Sequence, residues 1–306
     1  MNTKALPYVS LLGFMFGSTL IASRFSVGQY AATTYIGLRL SIAAIAHFVL
    51  YILLSKRFRW PRDKRLWKHA VLLGALGTAV PMTLIVSSLQ YLSSGIASIM
   101  LTTGPAVTVI LAHIFLPDEQ LNRGKASGVI IALAGAAFLA LSGESGLSDV
   151  GKANPWAYGM LFTAILLGNS AAIYIRKYLQ GYQSYDVASI RMFTAALVVM
   201  PFSILFVGFD LSPVNGTGYT ALIYAALVGT FGGMMLSVYN IKRFGATASA
   251  MTAYIIPLVS VILGAFLLHE TITNVMLGGM VMIIGGIVII NRNQEAIVEP
   301  QPAVGD

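Results

Sequence analysis

The stretch "PAVTVILAHIFLPDE" occupies residues 105–119, and "PLVSVILGAFLLHET" occupies residues 257–271. Laid over each other at an offset of 152 (257 − 105), the two agree at the proline, two valines, an isoleucine and two leucines. Each reaches an acid, Asp118 and Glu270, at the same distance from its proline. Proline removes a backbone donor and bends a helix, so its repetition inside two apolar runs asks for an explanation. The same offset pairs Arg39 with Arg191, Ala43–Ala44 with Ala195–Ala196, and Gly77–Thr78 with Gly229–Thr230. With a one-residue slip "FGS" (16–18) lies over "GNS" (168–170), and after a small gap Gly128 and Gly135 correspond to the glycine pairs 278–279 and 285–286. The chain therefore reads as one unit written twice, residues 1–142 and 155–291, with an external linker 143–154. The polar tail 292–306 is expected to be disordered and cytoplasmic.

The solvent for these units is lipid. Of 306 residues, 57% are hydrophobic and only 10% charged, against about 25% charged in soluble domains. Apolar runs recur at the length of about 20 residues that crosses a bilayer, without the short alternating segments of a transmembrane barrel. Ten spans are expected: 6–27, 33–55, 66–90, 94–116, 123–142, 155–178, 184–208, 218–241, 246–268 and 272–291. The fold class is an all-α polytopic membrane protein.

The net charge of +8 belongs to topology. The longest charged loop holds Lys56, Arg57, Arg59, Arg62, Lys64, Arg65 and Lys68, and such a cluster stays cytoplasmic. With the N-terminus inside, Lys4, Arg123, Lys125, Arg176, Lys177, Lys242, Arg243 and Arg292 fall on the same side, making fifteen of the 19 basic residues. Lys152 falls outside, and Arg24, Arg39 and Arg191 lie within or near span ends. Both termini are then cytoplasmic in a multi-pass protein of the cell (inner) membrane. No soluble stretch is long enough for a nucleic-acid-binding module. The N-terminal run ending in "IAS" looks like a signal peptide, but it has a counterpart deep in the chain and is counted as a span. Cysteine is absent, so there is neither a disulfide framework nor thiol chemistry.

Five spans per unit is an odd number, so the two copies insert with opposite orientation. Inverted repeats with a site near the bilayer midplane are a transporter architecture. The motifs "FGSTLIASRF", "GLRLSIAA", "TGPAVTVILAHIFLPDEQL" and "IIPLVSVILGAFLLHETI", in this order and duplicated, resemble the EamA family of the drug/metabolite transporter superfamily over nearly the whole chain. The resemblance implies an exporter of metabolites or amino acids, a central cavity between the repeats, and peripheral fifth and tenth spans. Small multidrug resistance proteins of that superfamily depend on a carboxylate in the first helix. Span 1 here has none, which disfavours proton antiport through a buried acid and selectivity for organic cations. All eleven acids lie in loops, at span edges or in the tail, and are read as interface markers.

Candidate residues follow from depth and type. Pro105 and Pro257, expected near the middle of spans 4 and 9, are kink or hinge candidates, as are Pro81 and its counterpart Gly233; static kinks are the alternative. Ser18 and Thr19, Thr102 and Thr103, Asn169 and Ser170, and Thr252 and Tyr254 either line a substrate cavity or bond their own and neighbouring helices at about 0.6 kcal/mol each. Asn169 has the strongest claim, because an amide has up to four bonds to satisfy. Arg39 and Arg191 either snorkel or attract and gate an anionic group, each from its own side. His47 and His113 either relay protons or pack between helices. Gly128, Gly135, Gly278 and Gly285 are helix-packing positions. No metal cluster, nucleophile set or phosphate loop is present, so the chain reads as neither an enzyme nor a cofactor binder. Its partners are a small-molecule substrate and the lipid bilayer, and its oligomeric state is not readable. The leading reading is an exporter of amino acids or related compounds. The alternatives are multidrug efflux and a non-transporting receptor or assembly subunit.

Overall fold

A computed structural model of the chain describes residues 5–54, 60–117, 120–149, 152–179 and 181–295. Lys4, Lys56, Arg57, Arg59, Asp118 and the tail from 296 lie outside the described residues.

Among the described residues ten helical segments follow one another, beginning with α1 (Leu6–Phe25), α2 (Ala32–Leu53), α3 (Lys64–Ser88), α4 (Ser94–Phe115), α5 (Arg123–Ser142) and α6 (Pro155–Tyr178). α7 comprises Ser184–Phe202 and a π-helical turn Ser203–Val207; α8 comprises Gly216–Tyr224, a π-helical stretch Ala225–Gly232 and Gly233–Ala250. Then come α9 (Thr252–Leu268) and α10 (Asn274–Glu295). Among the described residues nine helices are long and apolar enough to cross a membrane, with α9 a shorter apolar helix. Polar caps set the starts. Asp63, Ser93, Asn122, Asn154 and Asn215 accept from the backbone N–H of Arg65, Ile96, Lys125, Trp156 and Gly218, each cap being worth about 1 kcal/mol.

Contacts sort the connections into two ends. At one end Arg24 meets Glu270, Ser93 meets Ser145, Thr273 meets Glu144, and Gln29 meets Asn215. At the other Tyr182 meets Asp63, Tyr51 meets Asp186, and Tyr8 meets Asn240. α1 starts at the Asp63 end and finishes at the Glu270 end. Its counterpart α6 starts beside Glu144, where Tyr158 bonds the Glu144 carbonyl, and finishes at the Asp63 end. Equivalent helices therefore run antiparallel, as an inverted repeat requires.

Backbone irregularities repeat too. The π-helical turn Ala75–Ala79 in α3 has its counterpart, 227–231, inside Ala225–Gly232 of α8. α5 and α10 pair along their length. A Cβ at Gly128 would meet the Gly286 carbonyl, one at Gly286 the Gly128 carbonyl, and one at Gly135 the Gly279 carbonyl. The close approach runs through Gly279 and Gly286, so the expected Gly278 and Gly285 are corrected by one residue. Gly278 meets only Phe138, at 3.6 Å, and Gly285 faces open space, because successive helix positions turn to different faces. Outward surfaces stay apolar, with Leu141, Phe206 and Phe266 exposed, as lipid demands.

Helix ends depart from expectation between α8 and α9. Lys242–Arg243 marks a loop in the sequence reading, but helix continues through them to Ala250 and breaks at Met251. The segment contains no proline to stop it. Pro257 consequently sits in the second turn of α9 rather than at mid-span. α10 likewise runs on through Glu295, past the expected start of the tail.

Candidate functional site

The two arginines lie at the interface between repeats, each held by the other repeat. Arg39 Nε donates to Thr230 Oγ1 at 2.7 Å, and Arg191 Nε donates to Thr78 Oγ1. Thr230 Oγ1 in turn donates to the Ala225 carbonyl (3.2 Å) and Thr78 Oγ1 to the Leu73 carbonyl (3.1 Å), five residues back in each case. The π-helical register brings those carbonyls to the hydroxyls. Adjoining glycines complete the pattern. A Cβ at Gly229 would collide with the Thr19 side chain of α1, and one at Gly77 with the Ala171 methyl of α6. Residues 19 and 171 are themselves equivalent. The whole constellation is thus one motif used twice, in opposite directions.

The prolines act through the carbonyls they leave without a donor. Pro257 cannot donate to the Ala253 carbonyl, and Thr102 Oγ1 of α4 lies 3.3 Å from it. Pro81 cannot donate to the Gly77 carbonyl, and Arg191 Nη2 does so instead. Pro105 follows an interruption of α4 at Thr102–Thr103, between the helical pieces Ser94–Leu101 and Gly104–Phe115. It withholds a donor from the Leu101 carbonyl.

A cavity of about 260 Å³ opens beside Arg39. Phe16, Leu20, Met82, Ile85, Val86, Leu101, Ala253 and Ile256 give it an apolar lining, and Thr19, Ser23, Ser98, Thr102 and Arg39 bring the polar groups. α1, α2, α3, α4 and α9 all contribute, so both repeats wall it. Arg39 is only 9% exposed. Its Nη1 donates to Ser23 Oγ at 3.2 Å, and no carboxylate pairs with it among the described residues. Ser23 and Ser98 escaped the sequence reading. The signal was available: Thr19/Ser23 and Ser98/Thr102 are hydroxyl pairs at i, i+4, which lie on one helix face.

The other candidates are dispersed. Ser18 bonds the Phe14 carbonyl (2.6 Å) and Tyr224 (2.7 Å) beside a groove lined by α1, α8 and α9. Thr103 bonds the Met100 carbonyl. Asn169 lies against Gly104, accepting from Thr108 (2.7 Å) and donating to the Ile165 carbonyl (2.6 Å). It lies outside the Arg39 cavity lining, as does the half-buried Ser170. Tyr254 accepts from Asn291 (2.7 Å), and Thr252 Oγ1 is buried with no partner among the described residues. Gly233 packs on Phe16. His47 pairs with Tyr185 (3.2 Å) and packs edge-on to Phe231, and the exposed His113 accepts from the Leu121 N–H.

Glu270 is more than an interface marker. It is 9% exposed and sits beyond the end of α9, where His269 takes a left-handed φ of 54°. Its oxygens accept from Ser94 N (2.8 Å), Ser94 Oγ (2.7 Å) and Gly95 N (3.3 Å), capping α4, and Arg24 Nε stands 4.0 Å away. Burial pushes its carboxyl above the usual value, against the opposing pull of those donors and Arg24. At the opposite end, the Tyr182 hydroxyl and the Arg65 N–H hold the Asp63 carboxyl below its usual value.

An all-helical inverted-repeat bundle around a largely apolar cavity that holds a buried arginine is an architecture that membrane transporters use. The model of the EamA-like transporter family matches residues 3–141 and again 155–292, and the chain belongs to that family. It is 26% identical to the "Probable terminal-alkyne amino-acid exporter" of Streptantibioticus cattleyicolor, covering 95% of this chain and 94% of that one. It is 26% identical to the "Uncharacterized inner membrane transporter YedA" of Escherichia coli strain K12, covering 86% and 83%. A solved crystal structure matches with a TM-score of 0.67 at 16% identity, over 95% of this chain and 98% of that one, which supports the fold alone.

Proposed function

We propose that this protein exports small amphipathic metabolites, amino acids or close relatives, across the cell membrane by alternating access of the cavity between its repeats. The observation that carries this reading is the cavity itself: both repeats wall it, and a buried arginine without a carboxylate partner among the described residues lines it. An ionisable residue kept at such depth marks a substrate path. At about 260 Å³ it lies below the range of roughly 300–1,000 Å³ typical of drug-sized sites, which favours a small metabolite. The amino-acid assignment draws on the name of the Streptantibioticus relative. Multidrug efflux of cations is disfavoured, since the cavity's charge is positive. The basic loops favour a cytoplasmic position for both termini.

Proteoliposomes loaded with labelled amino acids test the proposal. Protein-dependent efflux of at least one is expected, and no flux across a broad amino-acid and metabolite panel would overturn it. A non-transporting receptor would also fail to change cysteine accessibility between its two faces when substrate is added.

A further inference from the structure

The inverted repeat carries its own control experiment, because the two arginines are equivalent in sequence but not in surroundings. Arg191 gives Nε to Thr78 and Nη2 to the Gly77 carbonyl, so the π-helical turn of α3 takes two of its donors. Pro81 makes that second bond available by withholding its own N–H from the Gly77 carbonyl. In the other repeat the position of Pro81 is Gly233, which keeps its N–H. Arg39 correspondingly makes one bond to the π-helical stretch of α8, through Nε, and its Nη1 turns to Ser23 at the cavity wall.

The hydroxyls differ in the same sense. Thr19, Ser23 and Ser98 line the Arg39 cavity, and at the equivalent positions of the second repeat the sequence has Ala171, Ile175 and Ala250. Thr102 corresponds to Tyr254, whose hydroxyl accepts from Asn291 on α10. One arginine thus lines a cavity beside hydroxyls, and the other is bonded to Thr78 and the Gly77 carbonyl.

We propose that the Arg39 cavity recognises a carboxylate on a small aliphatic body, the guanidinium holding the carboxylate, and that Arg191 is a structural copy that takes no ligand. This deepens the transporter reading and rests on it. A planar guanidinium suits a carboxylate's two oxygens, and Arg39 lines the cavity with its Nη1 on the cavity-wall Ser23. The rest of the lining, with Leu20, Met82, Ile85 and Val86, suits an aliphatic chain. Two sources share this chemistry, an aliphatic amino acid and a simple branched acid. The carbonyl end of Ser94–Leu101 at the same cavity carries partial negative charge that an ammonium group would meet.

The experiment is ligand-induced thermal stabilisation of the detergent-solubilised full chain, which reads binding without flux. The probes are leucine, 4-methylpentanoate (leucine without its ammonium) and leucinamide (leucine with its carboxylate blocked). A shift with leucine and none with leucinamide is expected. A further shift with 4-methylpentanoate names a simple acid as ligand, and its absence names the amino acid. Arg39→Lys, which keeps the charge and loses the fork, should raise Kd about tenfold, and Arg39→Gln should abolish the shift. Arg191→Lys should keep it, reporting through the same probes. An equal shift with leucinamide, an undiminished shift in Arg39→Lys, or no shift with either carboxylate would overturn the inference. Flux of other solutes in proteoliposomes would then show that the transporter reading survives without it.

Discussion

Thr78 and Thr230 each do two things at once: the hydroxyl donates to a carbonyl five residues back and accepts from an arginine of the other repeat. Valine has the same shape and neither bond. Thr230→Val should leave a buried guanidinium N–H unmet, at a cost of about 1–3 kcal/mol, and Thr78→Val should cost a similar amount because the motif is the same. Melting of the two variants in detergent checks this. A large loss in one and none in the other would mean that the clasps are unequal in strength as well as in surroundings. At this scale the sequence already aligned Arg39 with Arg191 and Thr78 with Thr230. It did not show that each arginine reaches across to the other repeat's threonine, because the offset pairs a residue with its copy, and the contact is between non-copies. Asn169 was favoured for its unmet amide, yet Thr108 and the Ile165 carbonyl meet it locally. Such satisfaction depends on which face a neighbouring helix presents.

At the scale of elements, α9 is tied to α4 by its two ends. Near its start Thr102 reaches the Ala253 carbonyl released by Pro257, and beyond its finish Glu270 caps Ser94 and Gly95. The cap needs Gly264, since a Cβ there would lie 2.9 Å from Ser94 Oγ and strike the Glu270 carboxylate. Gly264→Ala should therefore destabilise the chain by about 1–3 kcal/mol through overpacking. The pH dependence has a definite sign. Burial raises the Glu270 carboxyl above its usual value of 4.5, so between 4.5 and the raised value the folded state binds the proton that the unfolded state releases. Stability from this group is full below 4.5 and falls as pH rises through the raised value. Glu270→Gln cannot titrate, so its melting temperature should vary less with pH across that interval than that of the parent protein. An unchanged slope would place the dependence elsewhere. The Asp118 and Glu270 equivalence told the sequence reader where helices end, and it could not tell that one acid folds back under a neighbouring helix. His269, the non-glycine residue with positive φ among the described residues, makes that turn, which histidine adopts more readily than most side chains.

Over the whole molecule, the fold was the legible part, because lipid leaves few ways to satisfy a backbone and a five-helix unit used twice has one way to thread. The cavity was the hidden part. Its lining comes from five helices, and the i, i+4 hydroxyl pairs that mark two of their faces do not say which helices bring those faces together. The inverted arrangement makes a prediction about equivalent surfaces. Arg62, in the connection between the second and third helices of the first repeat, and Ser212, in the same connection of the second, are both exposed, and they lie at opposite ends of the bundle. The parent chain has no cysteine, so Arg62→Cys and Ser212→Cys can each be read alone. In intact cells a membrane-impermeant maleimide should label Ser212→Cys, and should label Arg62→Cys only after permeabilisation, if this loop follows the rule that basic loops stay inside. Labelling of both from the same side would break the inverted repeat. It would also remove the geometry that lets Arg39 reach Thr230 and Arg191 reach Thr78. Labelling of Arg62→Cys alone would keep the repeat and reverse the protein in the membrane, turning the end that carries Glu270 toward the cytoplasm.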